Sequence, residues 1–205
     1  MQIEGRASRQ RRLEVRKPRV FACLSRAGRH SRNARRRSSG REIASYMPEV
    51  RRQATLFLSG VPVIENLRRT FDPRQSELIA AHVTLCREDE VSDWGGVRER
   101  LACIPSAVTL SFGSPVRDGD LVLLPGSDDD GSFRALRQHL LETVEPRDHK
   151  PHITIVHPRN ARCSDAAWAA ICADTEPFTY TFREASLILQ QDGGVWETLE
   201  NFPLK

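Results

Sequence analysis

The sequence contains the same alternating four-residue pattern twice, HVTL at residues 82–85 and HITI at residues 152–155. Each copy lies in an apolar stretch that predicts a β-strand. Successive side chains of a strand point to opposite faces, so the histidine and threonine of each copy share one face and the aliphatic residues share the other. The pattern therefore predicts two strands that each bury one face and present an imidazole and a hydroxyl on the other.

Two copies of this pattern carry more information than one. The chain has only 6 histidines among 205 residues, so two such strings are not expected by chance. Two imidazoles with an ordinary pKa of about 6.5 can serve as base and acid near neutral pH. His82 and His152 are therefore the candidate catalytic residues. Thr84 and Thr154 are candidate hydrogen-bond donors to an oxygen that gains negative charge during a reaction.

The chain from residue 54 onwards alternates strand and helix patterns. Strands are predicted near residues 54–59, 78–87, 107–112, 120–124, 151–157, 178–191 and 195–202, and helices near residues 62–71, 91–103, 132–144 and 164–173. The last two strands form a predicted hairpin around Asp192-Gly193-Gly194. Each motif strand occupies a similar position in its half of the chain, which suggests a duplicated α+β unit.

Charge divides the chain into two unlike parts. The net charge is +4, but residues 1–46 contain 14 Lys plus Arg and 3 Asp plus Glu, a net of +11, whereas residues 47–205 contain 17 and 24, a net of −7. The first part is rich in Arg and Ser without apolar periodicity, so we expect a disordered basic extension. It is an arm that binds nucleic acid, a transit peptide, a featureless extension, or sequence upstream of a true start at Met47. Residues 47–205 form the predicted folded domain.

Several classes of function lack support in the sequence. No apolar segment approaches the roughly 20 residues that span a bilayer. The five cysteines show no CxxC spacing, and no P-loop or GxGxxG string is present. A catalytic zinc ion on the two histidines would need a third ligand. We therefore expect a cytoplasmic protein with no membrane contact, metal or cofactor. Cys86 shares the strand parity of His82, which would place it at the rim of the site, but the favoured interpretation is a small buried side chain.

The paired motifs, 70 residues apart on predicted strands, resemble those of the two-histidine (2H) phosphoesterase superfamily, which includes 2'-5' RNA ligase-like proteins and cyclic nucleotide phosphodiesterases. The resemblance covers residues 53–205. It implies an α+β fold of two lobes, each an antiparallel sheet with helices, whose two HxTx strands line a central cleft. It also implies metal-independent hydrolysis, or reversible formation, of a 2',3'-cyclic phosphate or 2'-5' bond. The resemblance further implies that one histidine would act as base and the other as acid, which the sequence does not assign, and that Thr84 and Thr154 would donate to phosphate oxygens.

A few further residues are weaker candidates. Arg159, in the sequence HPRN after the second motif, is either a phosphate clamp or a solvated loop residue. His149 is predicted to lie on the surface. Trp94, Trp168 and Trp196 are assigned to packing.

The expected partner is a small cyclic nucleotide or an RNA terminus, because an acidic folded domain fits a long RNA poorly. The basic extension would add an RNA contact if it is present. A monomer is expected. The alternative function is a binding module that recognises nucleotides or RNA ends with the same pocket and does not turn them over.

Overall fold

A computed structural model describes residues 48–103 and 106–205. They form β1 (Val50–Phe57), α1 (Pro62–Phe71), α2 (Pro73–Leu78), β2 (His82–Arg87), α3 (Trp94–Ala102), β3 (Val108–Phe112), β4 (Val116–Asp118), β5 (Leu121–Ser127), α4 (Ser132–Leu141), β6 (His152–Val156), α5 (Asp165–Asp174), β7 (Phe178–Phe182), β8 (Glu184–Gln191) and β9 (Glu197–Pro203). The expected basic extension, residues 1–46, lies outside the described residues. No helix within them is long and apolar enough to cross a membrane.

The strands form two antiparallel sheets, one around each motif strand. The first sheet has the order β2-β1-β8-β9. In the second, β5 pairs with β6, with β4 and at its end with β3, and β3 pairs with β7. Helices accompany both sheets, so the predicted α+β class with two antiparallel sheets is confirmed. Both motif strands lie at a sheet edge, and these edges lie next to each other.

The alternation of the motif strands is as predicted. In β2, Val83 and Leu85 are fully buried while His82 and Thr84 are partly exposed. The second motif, in β6, repeats this alternation residue for residue. The buried faces of both strands belong to one apolar cluster, which also includes residues of α1 and α4. The two sheets therefore share a single core.

One predicted strand, residues 178–191, is wrong as a single element. The chain breaks at Arg183, so that β7 joins the second sheet and β8 joins the first. The predicted turn at residues 192–194 is present, and β8 and β9 form the expected hairpin around it. Asp192 and Gly193 both have positive φ there, a conformation that glycine adopts without strain. The first sheet thus combines strands from both ends of the folded domain.

The short helix α2 was not predicted, and the first motif strand starts four residues later than the predicted residue 78. Asp72 ends α1 and also caps α2, because its Oδ1 accepts a hydrogen bond from the Gln75 amide at 3.0 Å. Pro73 occupies the first helical position, where its missing N–H has no consequence. The Asp-Pro pair is therefore a corner between two helices. The four predicted helices are present as α1, α3, α4 and α5, with ends that differ by up to three residues.

A buried arginine on α1 connects the two halves. Arg68 is 1% exposed and donates from Nε to the Thr154 carbonyl of β6 at 3.1 Å. Its other nitrogens donate to the Ile79 carbonyl at 2.7 Å and to the Glu65 carboxylate at 3.0 Å. Glu65 in turn accepts the Ala81 amide. The Glu65–Arg68 pair thus binds the segment before His82. Through Arg68 it also binds the second motif strand, β6.

The second half contains a similar arginine on α4. Arg137 is 2% exposed and donates to the Leu85 carbonyl of β2, to the Arg147 carbonyl at 3.1 Å and to the Glu90 carboxylate at 2.8 Å. Each helix packs on the motif strand of the other half, α1 on β6 and α4 on β2. Each buried arginine therefore binds a carbonyl of the opposite motif strand and a carbonyl of the segment before its own.

The variant Arg68→Met is expected to lower the free energy of unfolding by about 3 kcal/mol or more, because buried carbonyl groups and a carboxylate lose their donor. The matched control is Arg69→Met on the exposed neighbour, for which a change within about 0.5 kcal/mol is expected. Urea unfolding of both variants measures the difference. Equal losses in the two variants would contradict the connecting role of Arg68.

Candidate functional site

The two motif histidines are held in the same way. His82 Nδ1 donates to the Ala80 carbonyl at 2.8 Å, and His152 Nδ1 donates to the Lys150 carbonyl at 2.9 Å. A carbonyl only accepts, so in the neutral ring the proton is on Nδ1 and the lone pair is on Nε2. Neither Nε2 has a hydrogen-bond partner within residues 48–103 and 106–205. Both imidazoles thus present the same nitrogen for proton transfer.

The surroundings of the two rings differ. The edge of Phe57 packs against His82, with ring centroids 6.2 Å apart. Burial lowers the pKa of His82 to about 4; the Ala80 carbonyl partly opposes this shift, and the charges of Arg68 and His152 add to it. The influence of His152 places the two imidazoles within electrostatic reach of each other. His82 is therefore neutral at ordinary pH.

Each motif threonine lies two residues beyond its histidine on the same strand face. The Thr84 Oγ1 accepts a hydrogen bond from Gln53 Nε2 at 2.9 Å, which leaves the hydroxyl hydrogen to donate elsewhere. Gln53 is a buried residue of the neighbouring strand β1. Thr154 is partly exposed, and its backbone carbonyl is the acceptor for Arg68.

A cleft of about 390 Å³ adjoins His82. Strands β1 and β8 and helix α2 contribute to its wall, together with the segment after β6. Among residues 48–103 and 106–205, four arginines and one acidic residue, Glu49, line the cleft; the arginines are Arg51, Arg74, Arg87 and Arg159. His152, Thr84 and Thr154 do not contribute to the wall. The candidate site thus consists of the two HxTx motifs and of an arginine-lined cleft beside His82.

Arg159 lines this cleft, a position that its interpretation as a phosphate clamp requires. Its backbone amide donates to His157 Nδ1 at 3.1 Å, and the His157 amide donates to the buried Asp72 carboxylate at 2.8 Å. Burial, followed by the charge of Arg159, lowers the pKa of His157. The side-chain amide of Asn160 donates to Gln75 at 2.6 Å. Two connections to the α1–α2 corner therefore fix the segment after the second motif.

His149 is more buried than predicted. Its ring lies 5.7 Å from that of His152, and its Nε2 is buried without a hydrogen-bond partner among the described residues. Burial, assisted by Arg137 and His152, lowers the pKa of His149 to about 4. A smaller cavity of about 190 Å³ lies on this side, lined by His149 and by the core residue Phe133. The prediction of a surface role for His149 is therefore wrong.

Cys86 and Trp196 are two further residues for which the sequence predicted a position. Cys86 is fully buried, and burial raises the pKa of its thiol to about 12, which confirms a small structural side chain. The register between β1 and β2 shifts here, because Ala54 pairs with Cys86 and Thr55 with Thr84, which leaves Leu85 of β2 as the extra residue of a bulge. Trp196 was assigned to packing, but it lines the cleft with Arg51 over its ring at 5.4 Å.

The cleft residues on β1 and β8 were missed. One signal was present in the sequence, because Arg51 and Gln53 share the strand parity of Thr55 just before an apolar run. Their proximity to Gln190 and Trp196, however, depends on the pairing of β1 with β8. Within the described ranges, no group of three or more His, Cys, Asp or Glu side chains is placed to hold a metal ion.

Comparisons with known proteins bear on the family and the fold. The family model for the 2'-5' RNA ligase superfamily matches residues 58–194. A search of curated protein sequences finds no match. Among solved structures, TT0787 of Thermus thermophilus is 15% identical with a TM-score of 0.49, covering 75% of this chain and 97% of its own.

Two further structures are similar. E. coli LigT complexed with NADP+ is 17% identical with a TM-score of 0.49, covering 77% of this chain and 99% of its own. The MHV ns2 PDE domain is 15% identical with a TM-score of 0.40, covering 69% of this chain and 99% of its own. The family model spans well over half of the chain, including both motifs. The chain therefore belongs to the 2'-5' RNA ligase superfamily, as the resemblance of its paired HxTx motifs implied.

Proposed function

We propose that this protein is a metal-independent phosphoesterase that hydrolyses, or reversibly forms, 2',3'-cyclic phosphate or 2'-5' phosphodiester bonds in RNA ends or small nucleotides. The observation that carries the proposal is the matched state of the two motif imidazoles. His82 and His152 lie on adjacent strands, each with Nδ1 bound to a carbonyl and Nε2 available. Two such nitrogens suit an in-line displacement that needs one proton removed and one supplied.

In the hydrolytic direction, His82 acts as the base, because its lowered pKa keeps it neutral. It takes a proton from a water molecule as the water oxygen bonds to phosphorus. His152, in its protonated form, donates a proton to the ribose oxygen as the bond from that oxygen to phosphorus breaks. The products are a phosphomonoester and a free ribose hydroxyl. A 5'-hydroxyl can replace water as the nucleophile on a 2',3'-cyclic phosphate: its oxygen bonds to phosphorus, one ribose oxygen leaves and takes the proton from His152, and a new phosphodiester bond results.

The threonine hydroxyls stabilise the charge that develops on the non-bridging oxygens. The hydrogen bond from Gln53 to Thr84 Oγ1 occupies a lone pair and so directs the hydroxyl hydrogen towards the substrate. Thr154 acts from the second strand in the same position relative to its histidine. These donors act on the phosphate and need no metal ion.

Replacing either motif histidine tests this function. The full chain is assayed for hydrolysis of the four 2',3'-cyclic mononucleotides with EDTA present, alongside His82→Ala, His152→Ala and a His139→Ala control on α4. Each motif variant is expected to lose at least about 100-fold in kcat, because each removes one proton-transfer group. His139 bonds only to the Arg100 carbonyl and its variant should retain activity. Phosphate-ligand binding with no turnover by the parent would favour the binding module.

The pH dependence of kcat/KM tests the assignment of the base. Below its pKa, His82 is protonated and cannot accept a proton, so activity falls as the pH drops through that value. The acid limb of the profile is expected near pH 4, not near the ordinary imidazole value of about 6.5. An acid limb near pH 6.5 would contradict His82 as the base.

A further inference from the structure

We propose that the cleft beside His82 binds a second phosphate of the substrate, attached through the 5' oxygen of the same nucleotide. The inference rests on the proposed function and narrows its substrate class. When a cyclic phosphate occupies the 2' and 3' oxygens, the ribose has one oxygen left that can carry another phosphate, the 5' oxygen. The preferred substrate is then a nucleotide or RNA end with a 5'-side phosphate, not a cyclic mononucleotide.

The charge of the cleft supports an anionic ligand. The wall has four arginines and one acidic residue, whereas residues 47–205 as a whole have a net charge of −7. A cluster of basic side chains on one wall of an acidic domain offers an anion several favourable charges in one place. Guanidinium groups are also suited to bind phosphate through paired hydrogen bonds. Three of the arginines pair with carboxylates outside the wall, Arg51 with Glu88, Arg74 with Glu77 and Arg87 with Asp89, so the anion would bind to the donors that these pairs leave over.

The arginines retain donors for a ligand. Arg74 is mostly exposed and meets Glu77 at 3.5 Å, a weak surface pair. Arg87 meets Asp89 at 3.2 Å, but its buried Nε has no hydrogen-bond partner among the described residues. Arg159 forms no ion pair with any residue in the ranges 48–103 and 106–205. A bound phosphate would supply acceptors that the protein does not.

The cleft is also largely preorganised. Arg51 is fixed by Glu88 at 3.1 Å, by Gln190 at 3.3 Å and by the ring of Trp196 beneath its guanidinium. Contacts to His157 and Gln75 fix the segment that carries Arg159. Donors that are already ordered lose less conformational entropy when a ligand binds. Such a wall is built to hold one group in one position.

The composition of the cleft disfavours a nucleobase as the occupant. Its wall consists mainly of charged and amide side chains, and Arg51 covers one face of Trp196. Its volume of about 390 Å³ lies in the range of small-molecule sites. His82 lines the cleft, and Gln53 both lines it and donates to Thr84, so the cleft lies directly beside the first motif. A ribose can therefore bridge the two phosphates.

The test compares kcat/KM for adenosine 2',3'-cyclic phosphate, its 5'-phosphorylated form and the dinucleotide ApA 2',3'-cyclic phosphate. The 5'-side phosphate is expected to raise kcat/KM at least about tenfold, and high salt should reduce that ratio. The double variant Arg74→Gln/Arg159→Gln should lose most of the ratio. Arg52→Gln, on an exposed neighbour outside the cleft wall, should retain it.

The outcomes separate this inference from the proposed function. Turnover with equal kcat/KM for the plain and the 5'-phosphorylated nucleotide would overturn the second phosphate site and leave the phosphoesterase proposal intact. A preference for the dinucleotide would support the site and identify an RNA end as the source, whereas a preference for the 5'-monophosphate would identify a small nucleotide. If no substrate turns over, calorimetry with 5'-AMP and adenosine decides. Tighter binding of 5'-AMP that is lost in the double variant supports the site, and equal binding overturns it.

Discussion

The motif strands β2 and β6 lie side by side at a boundary between the two sheets, here called the seam. Hydrogen bonds from buried arginines to strand carbonyls stabilise it. As edge strands, β2 and β6 each have backbone groups that their own sheet leaves unpaired. Buried in the core between the sheets, such carbonyls would be costly without donors. Arg68 and Arg137 supply those donors in a crossed arrangement, each from the opposite half. Burial lowers the pKa of Arg68, and the Glu65 carboxylate opposes that shift. The geometry of the two histidines follows from this seam.

The site combines a symmetric support with asymmetric surroundings. The upstream carbonyls impose one tautomer on both rings, yet Phe57 packs against His82 while a second imidazole, His149, packs against His152. A reaction that needs a base and an acid requires two groups whose environments separate their protonation states. Duplication alone would give two equivalent histidines. The differing neighbours are what allow the proposed division of roles.

Structural features that depend on neighbouring residues were predicted from the sequence, and features that depend on long-range strand pairing were not. Strand alternation identified both motif faces, and the helices other than α2 were found from apolar spacing and capping residues. Long-range placement was not accessible: nothing near Arg183 shows that the chain changes sheets there, or that Trp196 faces a cleft. Nor did the pair Arg68-Arg69 show which side chain is buried, because that depends on the acceptors offered by β6. The paired motifs gave the family, but the cleft arises from sheet order.

The pairing of β1 with β8 has a consequence for how the site comes into being. Val50 pairs with Gln191, so the first sheet is complete only after two segments near opposite ends of the folded domain have come together. Contacts of such high sequence separation form slowly. Arg51, Gln190 and Trp196 meet only through this closure. A growing polypeptide therefore carries both histidine motifs before the cleft can be complete, because Gln190 and Trp196 are synthesised after both motifs.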